Sequence, residues 1–115
     1  MLQRFEDVTQ QEDLLREVLN QIYKDLNVEE DELKWDWDDP DAYTRFRDRM
    51  YRYFQNVLEQ KRSSLMQILY RVDISEKQSA RLWPMERDGQ IKRLCDLVLN
   101  RCLQKVLTRR MFRHK

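Results

Sequence analysis

From residue 14 onward the apolar positions of this chain fall three and four apart. Leu14, Leu15, Val18, Leu19, Ile22, Tyr23 and Leu26 make one stripe, with acids and glutamines opposite, which is the spacing of a helix that buries one face. Thr9 and Glu12 precede the stripe as a capping box, each side chain placed to satisfy the other's exposed backbone donor, so a helix is predicted over 9–26. Asn27 with Glu30 is a second box and predicts a short helical turn over about 28–34. Asp39 followed by Pro40 is a start signal, an aspartate at the cap and a proline in the first turn.

The longest pattern follows. Tyr43, Phe46, Met50, Tyr53, Phe54, Val57, Leu58, Leu65, Ile68, Leu69 and Val72 keep helical spacing, interrupted by Lys61 and Arg62 and then by Ser63 and Ser64. An unbroken helix over 40–71 would be about 48 Å long. A compact chain of this size is roughly 30 Å across. Such a helix bends near Ser63, protrudes, or is covered by a second chain, and the last option predicts a homodimer. Ser75 and Gln78 cap a short helix to about Leu82, which Trp83-Pro84 ends because the residue before proline is pushed out of helical geometry. Asp88 is placed to cap a final helix, with Ile91, Leu94, Cys95, Val98, Leu99, Cys102, Leu103 and Val106 as its stripe and an end near Met111. No stretch alternates as a strand would. The predicted fold is all-α, a bundle of about four helices with one long central helix, in a single domain spanning 1–115.

Composition narrows this picture. The charged fraction is 37%, high enough to raise disorder as an alternative, but 41% apolar residues in periodic order argue against it. One glycine and two prolines suit long helices better than a turn-rich sheet. No run of eighteen apolar residues spans a membrane, and MLQRFEDVTQQ has no apolar core of an export signal. Cys95 and Cys102 are seven apart on one apolar face, about 10.5 Å along a helix, too far for a disulfide. They read as buried free thiols, and the chain as cytoplasmic.

The net charge of +1 conceals a split. Residues 1–42 carry 14 acids against 4 bases, and residues 43–115 carry 7 against 18. The densest acidic stretch is EEDELKWDWDDPD, residues 29–41, with a net of −7 and two tryptophans; the connector it belongs to is taken as about 27–39. Asp36, Asp38 and Asp39 begin the spacing of a calcium loop, but Pro40 occupies the next ligand position and no glycine follows. The single histidine, His114, leaves too few ligands for a di-iron or zinc site. Neither cysteine has a histidine near it in sequence, and no glycine-rich loop is present to cradle a phosphate. No metal, cofactor or catalytic set is therefore predicted.

The basic half is the alternative source of function. Arg101, Lys105 and Arg109 are spaced by four and line one face, with Arg110, Arg113 and Lys115 beyond them and a basic tail over about 109–115. Arg101, Lys105, Arg109 and Arg110 are candidate polyanion-binding residues, suited to phosphates with salt-sensitive affinity. The plainer reading is a solvated helix face: acid-first pairs such as Asp41 with Arg45 and Asp48 with Arg52 give local partners, and C-terminal arginines complement the helix dipole. Trp35, Trp37 and Trp83, with Tyr51, fit the stripes least well and are candidate partner-binding aromatics.

Two resemblances attach to these residues. Arg109 and His114, with four residues between, resemble the arginine-to-histidine pair of HEPN-type ribonucleases, small helical proteins that are commonly dimeric. That family usually has a polar, non-basic residue after the arginine, where this chain has Arg110. QILYRVDISEKQ and LVLNRCLQKVLTRR resemble the second half of some short all-helical bacterial proteins of uncharacterised activity, which implies a helical fold and no activity.

Together these readings predict a non-enzymatic cytoplasmic module acting through a protein partner or by self-association as a homodimer. Nucleic-acid association through the basic C-terminal helix is the alternative, and RNA cleavage the third reading. Within the chain, Trp35 and Trp37 are expected to anchor the acidic segment while its acids cover arginines of the C-terminal half, as an internal mimic of a polyanion.

Overall fold

The computed structural model describes residues 3–60 and 62–113, with the side chains of Arg62 and Ser63 left aside. Among the described residues there are five α-helices and no strands: α1 (Glu12–Leu26), α2 (Ala42–Glu59), α3 (Arg62–Val72), α4 (Glu76–Ala80) and α5 (Arg87–Arg113). Two 3-10 turns, Phe5–Val8 and Glu30–Leu33, flank α1. The fold is an all-α bundle built on one long helix. That helix is α5, about 40 Å by its 27 residues, which is as long as the greatest extent of the molecule, 39 Å. It packs against α1, α2 and α3.

Its stripe is buried as the spacing requires, from Ile91 through Val106, and Leu97 is buried as well. Facing it, α1 contributes Leu14, Leu15, Val18, Leu19, Ile22 and Leu26, while α2 contributes Phe46, Met50, Phe54 and Val57. Each of the large side chains here, fully removed from water, contributes on the order of 1.5–3 kcal/mol.

The continuous helix over 40–71 is not formed. Gln60 is extended (φ −85°, ψ −161°) and closes α2 two residues before α3 opens. From Glu59 to Ser64 no apolar side chain holds the chain to the core. Breaking there lets α3 fold back so that Leu65, Ile68, Leu69 and Val72 pack against α1 and α2. The expectation of a second chain covering an overlong helix at this place loses its basis.

Helix ends differ from the predicted caps in instructive ways. Thr9 does not cap α1: its hydroxyl donates to the Glu6 carbonyl at 3.3 Å, and the helix starts three residues later, at Glu12. Residues 5–8 form their own turn instead, because Phe5 and Val8 are drawn into the core. Asn27 does not open the next turn; it closes α1 in the left-handed region (φ 55°), with the Val28 N–H reaching back to the Tyr23 carbonyl at 3.0 Å. Glu29 and Glu32 supply the box of that turn. Asp73 (φ 67°) and Ile74 close α3 in the same way. Asp39 turns the chain into α2 by accepting from the Asp41 N–H at 2.8 Å. Ser75 caps α4 as predicted, accepting from the Gln78 N–H at 3.1 Å. Asp88 lies inside the first turn of α5, where it accepts from the Tyr51 hydroxyl at 2.6 Å.

Candidate functional site

Of the four predicted polyanion residues of α5, Arg101, Lys105 and Arg109 follow one another at steps of four and Arg110 projects away from Arg101, and each has a partner within the protein. α1 and α5 run antiparallel, and their polar edges meet in a constant register. Lys105 donates to Asp25 at 2.6 Å, Arg109 to Gln21 at 2.9 Å and Arg113 to Glu17 at 2.9 Å. Steps of four on each helix bring one rung after another into line. Arg110 also reaches Glu17, at 3.5 Å, and Arg101 donates to the Asp73 carboxylate at 2.8 Å. Burial pushes the Glu17 carboxyl up, but the Arg113 hydrogen bond and the charges of Arg113, Arg110 and Arg109 outweigh it and hold the group below its ordinary range.

Asp25 is the deepest charge in this seam, 6% exposed. It accepts from Gln21, from Lys105 and, weakly, from the Cys102 thiol at 3.5 Å. Arg71 and Lys105 tie the seam to α3 through the carbonyls of Asp25 and Arg71. Both cysteines are buried and free, as their spacing implied. Burial pushes the Cys95 thiol up to about 12 and raises Cys102 as well, so neither is a thiolate nucleophile at neutral pH. His114 lies outside the described residues, and with it the Arg109–His114 pair.

The acidic segment does not lie on α5. Its ion pairs go to α2: Arg45 pairs with Asp39 and, at 4.0 Å, with Asp41. Arg49 holds it through the Lys34 carbonyl at 2.9 Å. The masking of C-terminal arginines expected above is therefore confined to Arg45, and α1 does the covering on α5. Trp35 is the anchor. It is 8% exposed, against Phe46 at 5.3 Å between ring centres and edge-on to Phe5 at 6.2 Å, so it is a core residue rather than a surface one.

Trp37 is 39% exposed and stands beside Trp35, with the Arg16 guanidinium 4.0 Å over its ring. Around these two rings is a cavity of 330 Å³ whose walls include Tyr43, Asp38, Asp39 and Pro40. Asp39 is held below the usual carboxylate range, first by the Asp41 N–H and then by Arg45, against some burial. Glu29, Glu30, Asp31, Glu32 and Asp38 face solvent, and among the described residues none of them has an ion-pair partner.

Of the other aromatic candidates, Trp83 is 37% exposed in the turn after α4, and Tyr51 is half-buried and bonded to Asp88. Three features went unanticipated. Phe5 is a core residue whose N–H donates to Asn100 Oδ1 at 2.9 Å, which pins the N-terminal segment to α5. Asp25 is a buried charge, although its place four after Gln21 on the edge of the α1 stripe is visible in the sequence. Tyr70 is 87% exposed, one turn after the half-exposed Met66 on α3.

Fold and surface thus define a class: an all-α bundle organised on a long C-terminal helix, with a self-paired basic face and an open acidic aromatic one. Among the described residues no helix is long and apolar enough to cross a membrane, and no His, Cys, Asp or Glu group is placed to hold a metal ion. No protein-family model, curated protein or solved structure matches the chain.

Proposed function

We propose that the chain is a non-enzymatic, cytoplasmic protein-interaction module, and that residues 29–41 are the face it offers to a basic segment of a protein partner. One observation carries this reading: Arg101, Lys105, Arg109, Arg110 and Arg113 of α5 pair with Asp73 or with acids of α1, whereas Glu29, Glu30, Asp31, Glu32 and Asp38 of the segment face water without a cationic partner among the described residues. A rigid aromatic set beside free carboxylates suits arginine or lysine side chains, which gain from both charge and ring faces. Trp37 already carries a guanidinium on its ring, that of Arg16.

Titration of an arginine-rich peptide, followed by tryptophan fluorescence, tests the proposal. Saturable binding that weakens with salt and is lost in Trp37→Ala is the expected result. No binding at low salt would overturn it. So would a preference for RNA over the peptide that persists in Trp37→Ala, which would favour the polyanion reading of Arg101, Lys105, Arg109 and Arg110.

A further inference from the structure

The outer face of α5, turned away from the core, carries a second and independent feature. A cleft of 420 Å³ opens between the N-terminal segment, α4 and α5. Its size is that of small-molecule sites, roughly 300–1,000 Å³. Arg4, Arg93 and Arg101 line it, against one acid, Asp96. That acid is already matched, accepting from Arg47 at 2.7 Å. Arg101 is fixed in place by Asp73 at 2.8 Å and by Gln104 at 3.2 Å. Arg93 has no ion-pair partner among the described residues.

Arg4 and Arg93 also line an adjoining cavity of 160 Å³, together with Glu6, an exposed acid 3.7 Å from the Arg4 guanidinium. Leu97, 6% exposed, supplies an apolar patch to the cleft wall. Asn100, its Oδ1 engaged by the Phe5 N–H, keeps its Nδ2 for a ligand, and Gln78 and Gln104 add further amides.

We propose that this cleft binds a small phosphorylated molecule. The phosphate lies between Arg4 and Arg93, where planar guanidinium forks match its oxygens. The remainder of the ligand rests on Leu97 and is read by the amides of Asn100, Gln78 and Gln104. A nucleic-acid strand fits the arrangement poorly. The cationic surface is a short concavity, and further along α5 the cations are paired to α1, so the described residues form no continuous track for a polymer backbone.

Isothermal titration of the full chain with inorganic pyrophosphate at low salt is the test, with Arg93→Ala and, as a control, Arg52→Ala, an exposed cation of α2 outside the cleft. Saturable binding is expected, weakened about tenfold or more by Arg93→Ala and unchanged by Arg52→Ala. Circular dichroism verifies that both variants stay helical. Absence of saturation up to about 10 mM probe would overturn the proposal. Equal losses in the two variants, or an RNA oligomer that binds with Arg93 dependence while pyrophosphate does not, would overturn it as well.

Discussion

Replacing Asp25 with alanine is expected to destabilise the fold by about 3 kcal/mol, a large part of the 5–15 kcal/mol typical of such a chain. The magnitude follows from what the carboxylate holds. Oδ2 accepts from Lys105 Nζ at 2.6 Å, a charge-assisted bond of about 1.5–3 kcal/mol. Oδ1 accepts from Gln21 at 2.9 Å, worth about 1 kcal/mol more. Breaking a fully buried pair costs roughly 3–5 kcal/mol because a charge is left without compensation. Here the Lys105 side chain is 20% exposed and keeps the Arg71 carbonyl at 3.1 Å, which places the cost at the lower end. Were the pair a surface contact, the loss would be under about 1 kcal/mol.

Lys105→Met, which keeps the apolar stem and removes the charge, is expected to cost a similar amount by stranding the carboxylate. The double variant Asp25→Ala with Lys105→Met leaves no charge without its partner, although Gln21 loses one acceptor, and is expected to be more stable than either of Asp25→Ala and Lys105→Met. Urea denaturation followed by helical circular dichroism measures all of these. An Asp25→Ala loss below about 1 kcal/mol, or a double variant whose loss equals the sum of the single losses, would refute the account.

Two further outcomes follow from neighbouring features. Glu17→Gln should lower stability by about 1 kcal/mol at neutral pH. Because the folded Glu17 titrates below its ordinary value of 4.5, its contribution is full above that value and fades as pH falls through the folded one. Melting temperatures of the two proteins should therefore converge as pH falls below 4.5, and a gap independent of pH would count against the seam. Gly89→Ala should stabilise the protein by about 1 kcal/mol in the same denaturation assay. Gly89 sits within the first turn of α5, and an added methyl group meets nothing nearer than Met85 Cβ at 4.0 Å. No gain, or a loss, would show that this turn needs its glycine.

The elements were legible in the sequence wherever an apolar stripe set them. The buried faces of α1 and α5, Leu14 to Leu26 and Ile91 to Val106, are those that the three-and-four spacing marks. What the spacing does not carry is where a helix ends when packing decides it. The apolar phase runs from Phe54 to Leu65 as if one helix continued, and only the need of α3 to reach α1 breaks it at Gln60. Local caps failed for the same reason at Thr9, where burial of Phe5 and Val8 outweighed a capping box. The candidate sites were legible in composition and illegible in pairing. Arg101, Lys105 and Arg109 follow one another at steps of four on α5, but the partners of these three and of Arg110 are 28 to 93 residues away in sequence.

The charge split between the halves of the chain takes a physical form once those pairs are known. Both halves contribute to the seam, Glu17, Gln21 and Asp25 from the acidic one and Lys105, Arg109, Arg110 and Arg113 from the basic one, with Asp73 holding Arg101 at its end. This matching uses two acids of α1 and none of residues 29–41, whose net charge is −7. On α2 the segment is met by Arg45 and, through a carbonyl, by Arg49. Most of its charge is therefore surplus to the fold. A folded chain gains nothing in stability from a dense, unpaired acidic face, since like charges repel there. Trp35 nevertheless fixes that face to the core, and Trp37 stands beside it, half open. Stability alone accounts for the buried tryptophan and leaves the open carboxylates unexplained, and it is these that the proposed basic partner would meet.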